Sequence, residues 1–172
     1  TFGLKATSSV KFDNFAAYPV EAGESRKYGT YTFNVASVAA LEGAGWNVGA
    51  GEWAISDSEL VYAAANTADG KAVLKNKASL SNYYAETKAT TADVGGFSVV
   101  GRCSAAGDSY YKLSLDIESG LALTKTVNGT EQVLASKDIT ELYTEDIRIL
   151  PDTEYVLRLQ MYGDLIQGYL DG

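Results

Sequence analysis

"LALTKTVNGTEQVLAS", residues 121 to 136, is the stretch that decides the fold class of this chain. Two β-favouring runs with alternating side chains flank the dipeptide Asn128-Gly129. These two residues readily adopt the positive φ angles that a two-residue type I′ turn requires. The stretch therefore predicts a β-hairpin that turns at residues 128 and 129.

Further strands follow from alternation on both sides of this hairpin. Residues 83–90, 97–103, 110–117 and 155–162 each alternate between apolar and polar positions, and residues 164–172 supply a further strand. The stretch of residues 36–46 is the only helical turn that the sequence suggests, and Gly43 and Gly45 would end it early. One-sided strands without intervening helices are typical of two antiparallel sheets packed face to face. We predict an all-β, two-sheet antiparallel sandwich.

Bulk composition limits the architecture and the partners. The chain has 172 residues, of which 46% are hydrophobic, and a net charge of −8. We expect one domain over residues 1–172, because this length can bury a core that needs no disulfide or metal. The acidic balance argues against nucleic acid or an anionic membrane as a partner. No apolar run approaches the ~20 residues of a membrane span.

The absence of histidine restricts the chemistry further. It removes imidazole bases, Ser-His and Cys-His pairs and histidine-ligated metals, and the lone Cys103 cannot form an internal disulfide. We expect no cofactor apart from a structural calcium ion, which needs only oxygen ligands. Asp13 and Asp69 are the candidate ligands, although turn formation is the simpler interpretation of Asp69-Gly70.

Carboxylates are the remaining candidates for catalysis. A retaining glycosidase needs two carboxyl groups about 5 Å apart. Asp116 and Glu118 form one acidic pair, and residues 145–154 contain an acidic cluster. Both groups fall at strand ends or in loops, where acidic side chains are usually solvated, so we interpret them as non-catalytic.

A polar strand face is the most suggestive feature. If neighbouring strands pair in simple register, one side of a sheet carries carboxylate, basic, hydroxyl and tyrosine side chains together. Such mixtures bind sugars through hydrogen bonds and aromatic contacts, although a solvated outer face has the same composition. Trp46 and Trp53 are each either a stacking platform for a sugar or a core residue, and the core is favoured for Trp53. The predicted face comprises Glu86, Lys88, Ser98, Arg102, Tyr110, Lys112 and Ser114, with Arg158, Gln160 and Tyr162 as extensions.

Three segments resemble a known family in their order along the chain. They are "GWNVGAGEWAISDSELVYA" at 45–63, "YYAETKATTADVGGFSVVGRCSAAGDSYYKLSLDIESGLALTKTVNGT" at 83–130 and "YVLRLQMYGDLIQGYLDG" at 155–172. Together they resemble the concanavalin A-like (laminin G-like) jelly rolls attached to bacterial glycan-degrading enzymes, over about residues 31–172. The resemblance implies a concave sheet that binds a sugar through an acidic residue and an arginine. Glu86 and Arg102 are the matching positions in this chain. Tyr110 and Lys112 lie beside them.

The resemblance implies a non-catalytic carbohydrate-binding domain of an extracellular or cell-surface bacterial protein. Its partners would be a polysaccharide or oligosaccharide and the other domains of a larger glycan-active protein. The alternatives are a glycoside hydrolase or related sugar-processing domain, and a structural or adhesive surface module. The carboxylate spacing of the hydrolases of this fold is absent, which favours binding over catalysis.

The first twenty residues match the end of the family pattern rather than its beginning. "FGLKATSSVKFDNF", residues 2 to 15, is similar to the closing segment that usually comes after "GYLDG". Either the chain is a sandwich that is circularly permuted or joined differently from its relatives, or it is a slice through tandem domains. In both cases we predict that residues 10–18 complete the sandwich within the same molecule and pair near residues 31–35, because an open edge would invite aggregation.

Overall fold

A computed structural model describes residues 2–19, 29–63, 70–75, 81–91, 95–142 and 149–171. These residues form fourteen strands and two short helices. No helix within them is long and apolar enough to cross a membrane. The strands are β1 Phe2–Ala6, β2 Val10–Pro19, β3 Gly29–Tyr31, β4 Trp46–Val48, β5 Glu52–Ser56, β6 Glu59–Ala63, β7 Gly70–Leu74, β8 Tyr83–Thr91, β9 Gly96–Gly101, β10 Tyr110–Asp116, β11 Gly120–Val127, β12 Thr130–Lys137, β13 Glu154–Tyr162 and β14 Leu165–Leu170; the helices are α1 Val38–Gly43 and α2 Ile139–Leu142.

The strands form two antiparallel sheets that pack as a β-sandwich, as the sequence predicts. The first sheet has the order β12-β11-β10-β9-β1-β7-β4. The second has the order β14-β13-β8-β2-β6-β5, and β3 also pairs with β2. We call them the front sheet and the back sheet. The chain passes from one sheet to the other several times, so strands that are adjacent in sequence often belong to different sheets.

The N-terminal segment supplies an interior strand to each sheet. In the front sheet β1 lies between β7 and β9, and in the back sheet β2 lies between β8 and β6. The prediction that residues 10–18 are paired within the molecule is confirmed. The predicted partner region was residues 31–35. Of these, Tyr31, in the short strand β3, pairs with Phe15 of β2. The last strand, β14, lies at the edge of the back sheet, and β13 and β8 separate it from β2.

Aromatic side chains from both sheets fill the core around β2. The Phe15 ring lies 5.5 Å from Phe2 and 5.5 Å from Trp46, and Phe2 also lies 5.5 Å from Tyr83. Aromatic pairs at such distances contribute about 0.5–1.5 kcal/mol each beyond the burial of their area. Trp53 packs against this core and stacks on Phe12, so the core prediction for Trp53 is confirmed. Trp46 is a core residue as well.

The local predictions also hold at the hairpin and at the helix. Asn128 and Gly129 have φ angles of 49° and 80°, and β11 and β12 pair on either side of them. Helix α1 occupies residues 38–43, and the Ser37 hydroxyl accepts a hydrogen bond from the Ala40 backbone amide at its N-terminus. Helix α2, which comes after β12, was not predicted.

The fold makes a direct prediction about Phe15. Replacing Phe15 by alanine leaves a cavity at the centre of β2, where the side chain is fully buried. We expect the free energy of unfolding to fall by about 3–5 kcal/mol, measured by urea denaturation. The matched control is Val133→Ala on the edge strand β12, where the side chain is 58% exposed and the change should stay within about 0.5 kcal/mol. Equal losses in the two variants would contradict the central position of β2.

Candidate functional site

The structure divides the predicted polar face between the two sheets. Glu86 and Lys88 lie on β8, in the back sheet, whereas Tyr110 and Lys112 lie on β10, in the front sheet. The assumption that these strands pair in simple register is wrong, because β8 pairs with β2 and β13, and β9 pairs with β1 and β10. Arg158, Gln160 and Tyr162 belong to the back-sheet group, and Ser98 and Ser114 belong to the front-sheet group.

Arg102 belongs to neither polar face. Its side chain contacts backbone carbonyl groups, and its backbone amide contacts a buried tyrosine. It comes directly after β9 and has a positive φ of 50°. Its Nη2 donates hydrogen bonds of 2.8 Å to the carbonyl oxygens of both Ser81 and Gly163. Its backbone amide donates to the Tyr83 hydroxyl at 2.6 Å, and burial raises the pKa of Tyr83 to about 12. Arg102 thus ties the end of β9 to the back sheet, and its sugar-binding role stays a prediction.

The front-sheet residues are engaged with one another. Lys112 Nζ contacts Glu131 Oε2 at 2.7 Å, and the Lys112 side chain is only 12% exposed. Burial acts to raise the pKa of Glu131, but the hydrogen bond and charge of Lys112, together with smaller contributions from Thr124 and Lys5, outweigh it and hold that pKa below its usual value. Tyr110 packs on Val73, Val100 and Cys103. Burial raises the pKa of the Cys103 thiol to about 11, so this cysteine is not a reactive thiolate at neutral pH.

The back sheet presents a different surface, which we call the aromatic face. Its outward side chains form two rows across β2, β8, β13 and β14, because residues directly opposite each other in paired strands point to the same side. Three of its residues, Glu86, Arg158 and Gln160, were predicted. The first row is Tyr18, Tyr84, Gln160 and Gln167, and the second row is Ala16, Glu86, Arg158 and Tyr169.

Contacts within the aromatic face hold its central side chains in place. The Tyr18 and Tyr84 rings stack with centroids 4.6 Å apart. The Arg158 guanidinium lies 5.0 Å from the Tyr84 ring centroid, and its Nε and Nη2 donate to Glu86 Oε2 at 2.8 and 2.7 Å. Burial is the main reason that the pKa of Tyr84 is raised, with Tyr18 as the next contributor, so its hydroxyl stays protonated. Both Arg158 donors use one carboxylate oxygen, and no described group donates to the other, Glu86 Oε1.

An ion-pair group borders the aromatic face. Lys88 Nζ lies 2.6 Å from Glu154 Oε1 and 3.8 Å from Asp13 Oδ2. The hydrogen bond to Glu154 is the largest of the contributions that raise the pKa of Lys88. The predicted calcium ligand Asp13 therefore faces an ammonium group, and Asp69 lies outside the described residues. The described part of the chain contains no group of three or more His, Cys, Asp and Glu residues that could hold a metal ion.

The structure describes both residues of the first acidic pair but only part of the second acidic cluster. Asp116 Oδ1 accepts hydrogen bonds from the backbone amides of Glu118 and Ser119, which places it in the turn between β10 and β11. This turn position agrees with a non-catalytic interpretation of Asp116 and Glu118. Residues 145 and 146 of the second cluster lie outside the described residues, and Glu154 is the partner of Lys88.

An apolar opening lies between the sheets at one side of the sandwich, where β12 and β14 are the edge strands. A cavity of about 230 Å³ lies there, and the sides of the opening carry Leu134, 43% exposed, and Leu165, 53% exposed. We call it the edge cleft. Gly168 lies on its floor, where a Cβ atom would come within 2.4 Å of Leu113 Cδ1. The cavity is lined by Leu113, Leu121, Leu123, Ala135, Ser136, Lys137 and Gly168.

Five residues of the aromatic face were missing from the predicted polar face: Ala16, Tyr18, Tyr84, Gln167 and Tyr169. Gln167 and Tyr169 could have been found, because in the predicted last strand they alternate with Ile166, Gly168 and Leu170. Tyr18 was hidden by an irregularity in β2. The register of β2 against β8 shifts between Phe12 and Asn14.

Comparisons with protein-family models, with curated proteins and with solved structures found no match for this chain.

The position of Arg102 predicts a structural role that depends on the hydrogen bonds of its side chain and on its positive φ. We expect Arg102→Ala to lower the free energy of unfolding by about 1–2 kcal/mol, because two hydrogen bonds to backbone carbonyls are lost. Arg102→Gly should be less destabilising, because glycine accepts the positive φ at this position. Urea denaturation of both variants measures the difference. A fully stable Arg102→Ala protein would contradict the role.

The Lys112–Glu131 pair predicts a pH-dependent stability. The lowered folded pKa of Glu131 means that its contribution is present above the ordinary carboxyl pKa of about 4.3 and is lost as pH falls through the folded value. Glu131→Gln should therefore cost up to about 1 kcal/mol at pH near 7 and almost nothing near pH 2. In a Lys112→Met background the same substitution should show little of this pH dependence. Urea denaturation at both pH values provides the check, and an equal cost at each pH would contradict it.

Proposed function

We propose that this chain is a non-catalytic carbohydrate-binding domain and that the aromatic face is its binding site. One observation carries the proposal. Stacked tyrosine rings, a guanidinium and a carboxylate contact one another in a continuous group on an outward sheet surface, with amide side chains next to them in the rows.

The chemistry of this group suits a polyhydroxylated ligand. Glu86 Oε1 can accept a hydrogen bond from a sugar hydroxyl, and Gln160 and Gln167 can both donate and accept. Tyrosine side chains add apolar contact area together with a hydroxyl. Charged groups of this kind bind hydroxyls more strongly than neutral ones do.

Preorganisation also supports binding at this face. Arg158 is fixed by Glu86 on one hand and by the Tyr84 ring on the other. Side chains that are already held in place lose little conformational entropy when a ligand arrives, so more of the interaction energy appears as affinity. A mobile arginine on an open strand would lose that entropy on binding.

The same geometry favours binding over hydrolysis. Glu86 is the only carboxylate among the residues of the two rows, and it is paired with Arg158. A retaining mechanism needs a second carboxyl group about 5 Å from the first, acting on the same bond. The nearby Asp13 and Glu154 are both directed to Lys88. A sugar-processing domain remains the alternative, and release of reducing sugar from a polysaccharide panel would identify it.

A domain of this kind would act outside the cell or at its surface, as one part of a larger bacterial glycan-active protein, and would hold that protein on its polysaccharide. The third candidate function is a structural or adhesive module. The apolar edge cleft is the feature that favours it, since exposed apolar surface can indicate a protein contact.

The proposal predicts a selective loss of glycan binding. Arg158→Ala should lower the affinity for a bound polysaccharide at least about tenfold, which corresponds to about 1.4 kcal/mol. It removes a contact group and also releases Glu86 and Tyr84. Affinity gel electrophoresis with a panel of soluble polysaccharides, followed by titration calorimetry, measures the change.

The matched control is Lys112→Ala on the front sheet, which removes one cation from the opposite side of the sandwich and should leave the affinity unchanged. Circular dichroism of both variants verifies folding. Loss of binding in Lys112→Ala with full binding in Arg158→Ala would move the site to the front sheet and refute the assignment.

A further inference from the structure

If the aromatic face binds carbohydrate, as proposed above, its shape bears on which part of a glycan it takes. The two rows extend across four adjacent strands, and Ala16, at the β2 end of the second row, is buried. With strands about 4.8 Å apart, each row spans about 14 Å, and the rows are separated by two residues along each strand, or about 7 Å. The site is therefore a long strip rather than a single position.

One end of the strip lies at the open edge of a sheet. At one end it reaches β14, which is the edge strand of the back sheet. Tyr84, Glu86, Arg158 and Gln160 line neither the edge cleft nor the cavity beside the loop at 104–107, whereas Tyr169, at the β14 end of the strip, lines a cavity together with Lys137 and Glu141. A pocket that recognises the end of a sugar chain needs a wall to stop the chain, and these cavities supply none beside the four central residues of the strip.

The charge of the strip indicates a neutral ligand. Glu86 and Arg158 are the only charged residues in the two rows, and they neutralise each other through direct contact. The neighbouring group of Asp13, Lys88 and Glu154 has one positive and two negative side chains. In a chain of net charge −8, such a surface does not attract sulfated or uronic polymers.

We infer, on the basis of the proposed function, that the aromatic face binds an internal stretch of a neutral, linear glycan that lies across the strands, along the two rows. Tyr84, Glu86 and Arg158 form the central contact, and Gln167 and Tyr169 on β14 contact the sugar units farther along the chain.

The test is a length series of neutral oligosaccharides. Cello-, laminari-, manno-, xylo- and fructo-oligosaccharides from two to six units are titrated by calorimetry, and the series that binds is repeated with both chain ends chemically blocked. We expect the affinity to rise with length and then level off, and blocked chains to bind as well as free ones. Raising the salt concentration should leave the affinity unchanged, because no ion pair forms with the ligand.

The edge position provides a variant that reports on the strip itself. Gln167→Ala should reduce the affinity of the longest oligosaccharides about fivefold, the effect of roughly one hydrogen bond, and have little effect on the shortest. Arg158→Ala should weaken binding at every length. Ala54→Ser, on β5 and off the two rows, serves as the control and should bind like the unmodified protein.

The outcomes of these titrations separate this inference from the proposed function. Binding that is independent of length, or that is lost when chain ends are blocked, overturns the inference and leaves the carbohydrate-binding function in place. Binding restricted to anionic chains overturns it as well. Absence of binding to every glycan in the series and in the polysaccharide panel overturns the proposed function itself.

Discussion

The pairing of β2 with β8 is the interaction on which the rest of the structure depends. It extends from Val10 opposite Thr91 to Pro19 opposite Tyr83 and joins the N-terminal segment to the middle of the back sheet. Through Phe15 and Phe2 the same segment reaches the aromatic core and then the front sheet, where β1 is an interior strand. The first eighteen described residues therefore hold both sheets, and their side chains fill the space between them.

This arrangement also explains why the two outer surfaces differ. On the front sheet, Lys112 and Glu131 neutralise each other, and Ser98, Thr124 and Thr126 are buried. On the back sheet, β2 contributes Tyr18, and β8 contributes Tyr84 directly opposite, so the stacked pair exists only because these strands are neighbours. A sandwich closed by a different strand at this position would lack half of the aromatic pair.

Alternation in the sequence predicted the strand faces well but not the sheets to which the strands belong. The inward residues of β8 and β13 and the turn at Asn128-Gly129 follow from local physics, because the side-chain period and the positive φ angles act within a few residues. The partner of a strand depends on contacts between distant segments. For that reason Glu86 was placed with Lys112 and Tyr110, whereas the chain changes sheets between β8 and β9 and separates them.

A single irregularity in β2 decides the composition of the aromatic face. Phe12 and Phe15 both point into the core although they are three residues apart, which a regular strand does not allow. The register shift between Phe12 and Asn14 absorbs the extra residue, in the manner of a β-bulge. Beyond the shift the parity is reversed, so that Phe15 and Ala17 face inward and Tyr18 faces outward onto Tyr84. Without the bulge, one phenylalanine would be lost from the core or the tyrosine pair would be lost from the surface. The odd spacing of two phenylalanines around Asp13-Asn14 is thus the sequence signal that links the core to the proposed binding face.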